Sequence, residues 1–152
     1  MERRNAWLSY TEAEEKELEK VAKEYRNFLD VGKTERECVT QIIKEAQEAG
    51  YECLEEKAAK GEKLKAGDKV YTVGMKKIVA LFHIGQDDIA EGMNILGAHI
   101  DSPRLDIKQN PLYEDTDFAY LDTHYYGGVK KYQWVTIPLA IHGVVAKKDG
   151  SV

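Results

Sequence analysis

The spacing of apolar residues changes once along this 152-residue chain, near Gly50, and that change dictates a mixed architecture. From Thr11 the sequence reads as a helix, with Glu14 three residues on as a capping-box partner. Leu18, Val21, Ala22, Tyr25, Phe28 and Leu29 then recur at helical spacing until Gly32 ends the run. Thr34 and Glu37 repeat the capping box, and Val39, Ile42, Ile43 and Ala46 form a second stripe up to Gly50. From Tyr51 the pattern becomes β-like. After a Lys- and Gly-containing stretch from Lys57 to Asp68, two short runs, Lys69 to Val73 and Lys77 to Ile84, flank a hairpin turn at Gly74-Met75-Lys76. The spacing predicts two amphipathic helices leading into a sheet, an α/β class.

Further along, Gly85 to Asp88 and Glu91-Gly92 lead into the apolar run Asn94-Ile95-Leu96, expected to be a strand. Gln109-Asn110-Pro111 signals a loop, Phe118 to Tyr125 a strand, and Tyr132 to Ala146 a long β-rich segment. The last residues, Val144 to Val152, read as a strand entering an Asp149-Gly150 turn with almost nothing left to return. The expectation is therefore an incomplete chain.

A formal charge of −5 and a pI near 5.5 argue against a nucleic-acid partner, which calls for a basic face. No apolar run reaches membrane-spanning length, and the stretch from Met1 to Trp7 lacks the apolar core of a signal peptide. The expected location is the cytoplasm, with no membrane partner. Cys38 and Cys53 are isolated and lack metal spacing, so both are expected as free thiols. The charge run from Glu12 to Glu24 reads as a solvated helix face. Nothing resembles a phosphate-cradling loop or a dinucleotide fingerprint.

The chemistry concentrates in Gly97-Ala98-His99-Ile100-Asp101-Ser102-Pro103-Arg104. A strand repeats every two residues, so His99 and Asp101 would leave it on one face. There the imidazole can bind zinc while the carboxylate takes its other N–H. On spacing alone a hydrogen-bonded structural histidine remains open as an alternative. His83, alternating with apolar neighbours, reads as an edge or core histidine, and His142 as structural. His124 precedes Tyr125-Tyr126-Gly127-Gly128 and reads as a structural hydrogen-bonding group or part of a substrate-approaching loop. Arg104 suits an intramolecular ion pair or a substrate carboxylate.

The string from Asn94 to Arg104, continuing through Leu105-Asp106-Ile107-Lys108, resembles the M18 family of zinc metalloaminopeptidases. His124-Tyr125-Tyr126-Gly127-Gly128, with Trp134 and Pro138-Leu139 beyond it, resembles the glycine-containing entry to that family's second domain. The resemblance implies the N-terminal part of a zinc-peptidase α/β/α sandwich domain, residues 1–125. It implies that residues 126–152 begin an inserted β-rich domain used for subunit assembly, and hence a homo-oligomer. It implies two Zn2+ ions or related divalent cations, peptide substrates, and removal of N-terminal residues by a metal-activated water with a glutamate as general base. His99 matches a metal-ligating histidine, and Asp101 the catalytic aspartate that supports the site without being a primary ligand. The bridging aspartate, the general-base glutamate, a neighbouring acidic ligand and the final histidine have no match here. An inactive chain on its own is therefore expected, and a non-catalytic scaffold or peptide-binding protein is the competing reading. The aspartyl aminopeptidase branch carries a histidine and a Trp-x-Asp-Arg pattern where this chain has Tyr132 and Trp134-Val135-Thr136-Ile137. The resemblance is thus to the bacterial branch, without an implied preference for acidic N-terminal residues.

Overall fold

The computed structural model describes residues 5–152, which divide into two compact units, the first ending at Ile95 and the second spanning Leu96–Val152. In the first, helix α1 spans Glu12–Val31 and helix α2 spans Glu35–Glu48. Both start on the capping boxes expected from sequence. Thr11 Oγ1 accepts from the Glu14 N–H at 3.3 Å, while Glu14 accepts from the Thr11 N–H at 2.7 Å. Thr34 and Glu37 repeat this reciprocal pairing, so donors that a helix start leaves orphaned are satisfied locally. Gly32 sits between the helices because nothing larger fits. A methyl there would lie 2.8 Å from Cys38 Sγ.

Strand β1 (Glu52–Cys53) pairs in parallel with β2 (Lys69–Gly74), and β2 pairs antiparallel with β3 (Ile78–His83). The β2–β3 turn places Met75 and Lys76 at φ of 51° and 59°, the left-handed conformation that closes a tight hairpin. Between β1 and β2 runs a short helix α3, Leu54–Ala59, which the sequence pattern does not announce. Its N-cap, Cys53, makes no side-chain capping bond.

The core of this unit is small and is formed where α2 lies on the sheet. Its buried apolar residues are Cys38, Val39 and Ala46 from α2 with Val70 and Tyr71 from β2. Val39 and Val70 are the large side chains most completely removed from water, at 2% and 1% exposure. Gln47 Nε2 donates to the Tyr71 hydroxyl at 2.9 Å, fixing the helix end against the strand. Cys38 and Cys53 are free thiols, and burial pushes the Cys38 thiol upward from its ordinary pKa. Among the described residues, no helix is long and apolar enough to cross a membrane.

The second unit is built on an antiparallel ribbon of β4 (Arg104–Asp115) and β5 (Phe118–Tyr126). Its turn holds Thr116 and Asp117 at φ of 51° and 65°. Three expectations from sequence fail from Asn94 onward. Gln109-Asn110-Pro111 is not a loop but lies inside β4, at a register shift between the pairs Ile107↔Thr123 and Leu112↔Leu121. Proline has no N–H to give the ladder, and a bulge is where a strand tolerates that loss. Residues 94–99 form no strand, and Ile95 and Leu96 are 79% and 100% exposed. Tyr132 to Ala146 holds only the four-residue helix α4, Lys131–Trp134, and no strand. In both segments the composition suits a sheet, but no ladder partner lies alongside among the described residues, and strands persist through pairing. The Asp149-Gly150 turn does form, with the Lys147 N–H donating to the Ser151 carbonyl at 2.8 Å.

Candidate metal-ligand site

Because no strand carries the motif, His99 and Asp101 do not meet across a strand face. They meet through a turn of coil just before β4. His99 Nδ1 lies 3.0 Å from Asp101 Oδ1 and 3.1 Å from the Asp101 carbonyl oxygen. Both partners are acceptors, so Nδ1 must carry the proton and donate. That assignment leaves the Nε2 lone pair unprotonated in the neutral ring. The His99 side chain is 83% exposed, so this lone pair belongs to an open imidazole rather than to a buried structural histidine.

Asp101 is held in turn. Its other oxygen, Oδ2, accepts from the Tyr126 hydroxyl at 3.0 Å. This bond first, then an N–H of its own backbone and the neighbouring His99, keep the carboxyl below the usual carboxylate pKa. Tyr126 stands at the end of β5, paired with Arg104 at the start of β4. The Arg104 guanidinium lies over the Tyr126 ring at 4.3 Å, and its Nε donates to Asp106 Oδ1 at 2.7 Å. Of its two readings from sequence, Arg104 thus takes the intramolecular ion pair. In the sequence Tyr126 figures only within the string before Gly127-Gly128 and not as a partner of Asp101, because it lies 25 positions away and only the strand register brings them together.

The remaining histidines stand elsewhere. His83 is exposed on β3, an edge strand of its sheet. His124 lies on β5 opposite Asp106 and stacks on Tyr125 with 5.3 Å between ring centroids. His142 is exposed in coil. A separate hollow of about 170 Å³ beside β1 is lined by Gln47, Tyr51, Cys53 and Lys57, among others. Lys57 already bridges Glu52 at 2.6 Å and Glu62 at 3.2 Å, and these carboxylates raise its pKa. It is a satisfied cation rather than a reactive amine.

The geometry at His99 fits one arm of a zinc site: a neutral imidazole whose second nitrogen is oriented by a carboxylate. It does not make a whole one. A catalytic zinc takes about three protein ligands, and among the described residues no group of three or more His, Cys, Asp or Glu is placed to hold a metal.

A carboxylate-oriented histidine on an α/β framework is compatible with one arm of a metal site without defining one, and the family comes from relatives. Residues 28–152 match the family described as aminopeptidase I zinc metalloprotease (M18). The chain is 58% identical over 151 residues to a probable M18 family aminopeptidase 1 of Clostridium acetobutylicum, covering 99% of this chain and 32% of the relative. A solved aminopeptidase I from the same organism superposes with a TM-score of 0.82, covering 99% of this chain and 33% of the other. Aminopeptidase I of Borrelia burgdorferi B31 superposes with a TM-score of 0.88 at 39% identity, covering 97% of this chain and 35% of that one. This chain belongs to the M18 aminopeptidase family, and its α/β fold is part of the fold of those enzymes. It spans about a third of the length of the curated relatives it matches.

Proposed function

We propose that these 152 residues are the N-terminal part of a cytoplasmic zinc-dependent aminopeptidase that removes N-terminal residues from peptides. The carrying observation is His99, whose Nδ1–H is committed to Asp101 while Nε2 is left as a lone pair in an open position. Family membership and relatives named as aminopeptidases support the same reading. His99 is the ligand and Asp101 the group that orients it. Tied to Tyr126 on one oxygen, Asp101 presents the other to the imidazole and holds the ring in one tautomer. Zinc, when bound, supplies a Lewis acid that polarises the peptide carbonyl and activates water. The chain itself supplies orientation and the first nitrogen donor. The further ligands and the general base are contributed by sequence outside these residues, in a protein of the relatives' length. The complete site would hold two ions. In that assembly residues 1–125 belong to the catalytic domain, and residues 126–152 open an inserted domain through which copies of the protein associate.

The test replaces His99 by Ala in a chain of the relatives' length. Bound zinc should fall and turnover of aminoacyl-arylamides should be lost, with the unfolding midpoint nearly unchanged because the side chain is exposed. Full metal content and activity in that variant would contradict the assignment. A second reading, a non-catalytic peptide-binding scaffold, draws on the missing donor cluster among the described residues. It predicts peptide binding without turnover in the same long chain.

A further inference from the structure

We propose that Tyr126 is a positioning residue for the site, acting on the imidazole of His99 through Asp101. The inference rests on the metal-ligand reading of His99 and extends it to a residue outside the motif. Three observations carry it. The Tyr126 hydroxyl donates to Asp101 Oδ2 at 3.0 Å, and the other oxygen of the same carboxylate, Oδ1, lies 3.0 Å from His99 Nδ1. The carboxylate is therefore held at both ends, and its rotation about the Cβ–Cγ bond is blocked. Asp101 lies in irregular backbone with its side chain 36% exposed, so no strand or packed core fixes that rotation instead.

The second observation is that Tyr126 is itself fixed. Its backbone is in register with Arg104, and the guanidinium covers its ring at 4.3 Å. The third lies one residue further on. Gly127 adopts φ of 75° and packs on Pro103, so that a methyl at Gly127 would stand 3.3 Å from the Pro103 Cα. The corner at the end of β5 is thereby pressed against the residues that follow Asp101. The left-handed backbone favours a glycine there, and a side chain would in addition crowd Pro103. The sheet register thus reaches the metal-binding nitrogen by a relay of hydroxyl, carboxylate and imidazole. Partners of this kind, one step behind the ligand, set the orientation and basicity of the nitrogen that meets the metal.

The experiment reads the tautomer of His99 by long-range 1H–15N correlation in the 152-residue chain, without metal and at a pH where the ring is neutral. The unaltered chain should show the Nδ1–H form in excess, together with a nuclear Overhauser contact between the Tyr126 ring and the Asp101 β protons. Tyr126→Phe keeps the ring under Arg104 and removes only the hydroxyl. It should lower the excess of the Nδ1–H form, which the Asp101 carbonyl 3.1 Å from Nδ1 continues to favour in part. In an Asp101→Ala background the same change should have no further effect. The proposal is overturned by an unchanged tautomer in Tyr126→Phe, or by an equal effect of that variant with and without Asp101. Absence of the ring contact in the unaltered chain overturns it whatever the variants do. Because no zinc is present, these outcomes are independent of the zinc and turnover measurements on His99→Ala.

Discussion

At the level of single residues, exposure separates those that hold the fold from those that carry chemistry. Val39 and Val70 are nearly sealed from water, whereas the His99 side chain is 83% exposed. Val39→Ala or Val70→Ala should cost about 2 kcal/mol, through lost transfer energy and an unfilled cavity. His99→Ala should stay within about 0.5 kcal/mol, as surface changes do. Urea denaturation followed by far-ultraviolet circular dichroism checks both, and a His99→Ala loss as large as that of Val70→Ala would be inconsistent with an open imidazole. Glu14 gives the pH dependence. The Thr11 backbone N–H, then its hydroxyl, holds the Glu14 carboxyl below its ordinary value of 4.5. A lowered folded pKa means that the contribution is complete above the ordinary value and is lost as pH falls through the folded one. Amide shifts at the start of α1 should therefore hold at pH 5 and move only below pH 4.5. Glu14→Gln should remove that movement.

At the level of elements, the capping boxes were written openly in the chain. Thr34→Ala removes the acceptor for the Glu37 N–H and should destabilise the first unit by about 1 kcal/mol, measured as a shift in the denaturation midpoint at constant slope. The helices and the β2–β3 hairpin could be read from sequence because their signals are local: caps, a 3.6-residue stripe, a turn within five residues. The His99–Asp101 pair was legible as a local motif, with one residue between its members, but the strand face expected to bring them together is absent and they meet in coil instead. What escaped depends on distance along the chain. The strand expected at residues 94–99 and the β-rich run from Tyr132 have suitable composition, but composition does not supply a ladder partner. Pro111 pointed to a loop because a bulge that accommodates proline is defined by the opposite strand, 10 or more residues away. Tyr126 was invisible as a site residue because only the Arg104↔Tyr126 register brings it to Asp101. Helix α3 lacked the capping residue that would have announced it.

At the level of the whole molecule, every fully buried residue among those described lies between Gly32 and Tyr71, and residues 96–152 contain none. A two-stranded ribbon without a covered face is marginal in water. Hydrogen exchange should show β2 and α2 amides as the best protected and β4–β5 amides as exchanging orders of magnitude faster; equal protection would contradict the burial pattern. Val135, Ile141 and Val145 are 78%, 75% and 76% exposed, and such apolar surface favours association. Light scattering should therefore show the chain associating as concentration rises, and a chain ending at Trp134 doing so less. The bulge in β4 adds a rule about length. Four residues, 108–111, face the single residue Asp122, an excess of three. Strict alternation over the five steps from Ile107 to Leu112 would put the two on opposite sides, but the pairing Leu112↔Leu121 places Leu112 on the side of Leu105 and Ile107, facing Leu121, Thr123 and Tyr125, so the odd excess is absorbed in the bulge. Insertions or deletions of two residues in the bulge would preserve this apolar side. A change of one would turn the outer half of β4 over, so the tolerated lengths of this segment should differ by even numbers.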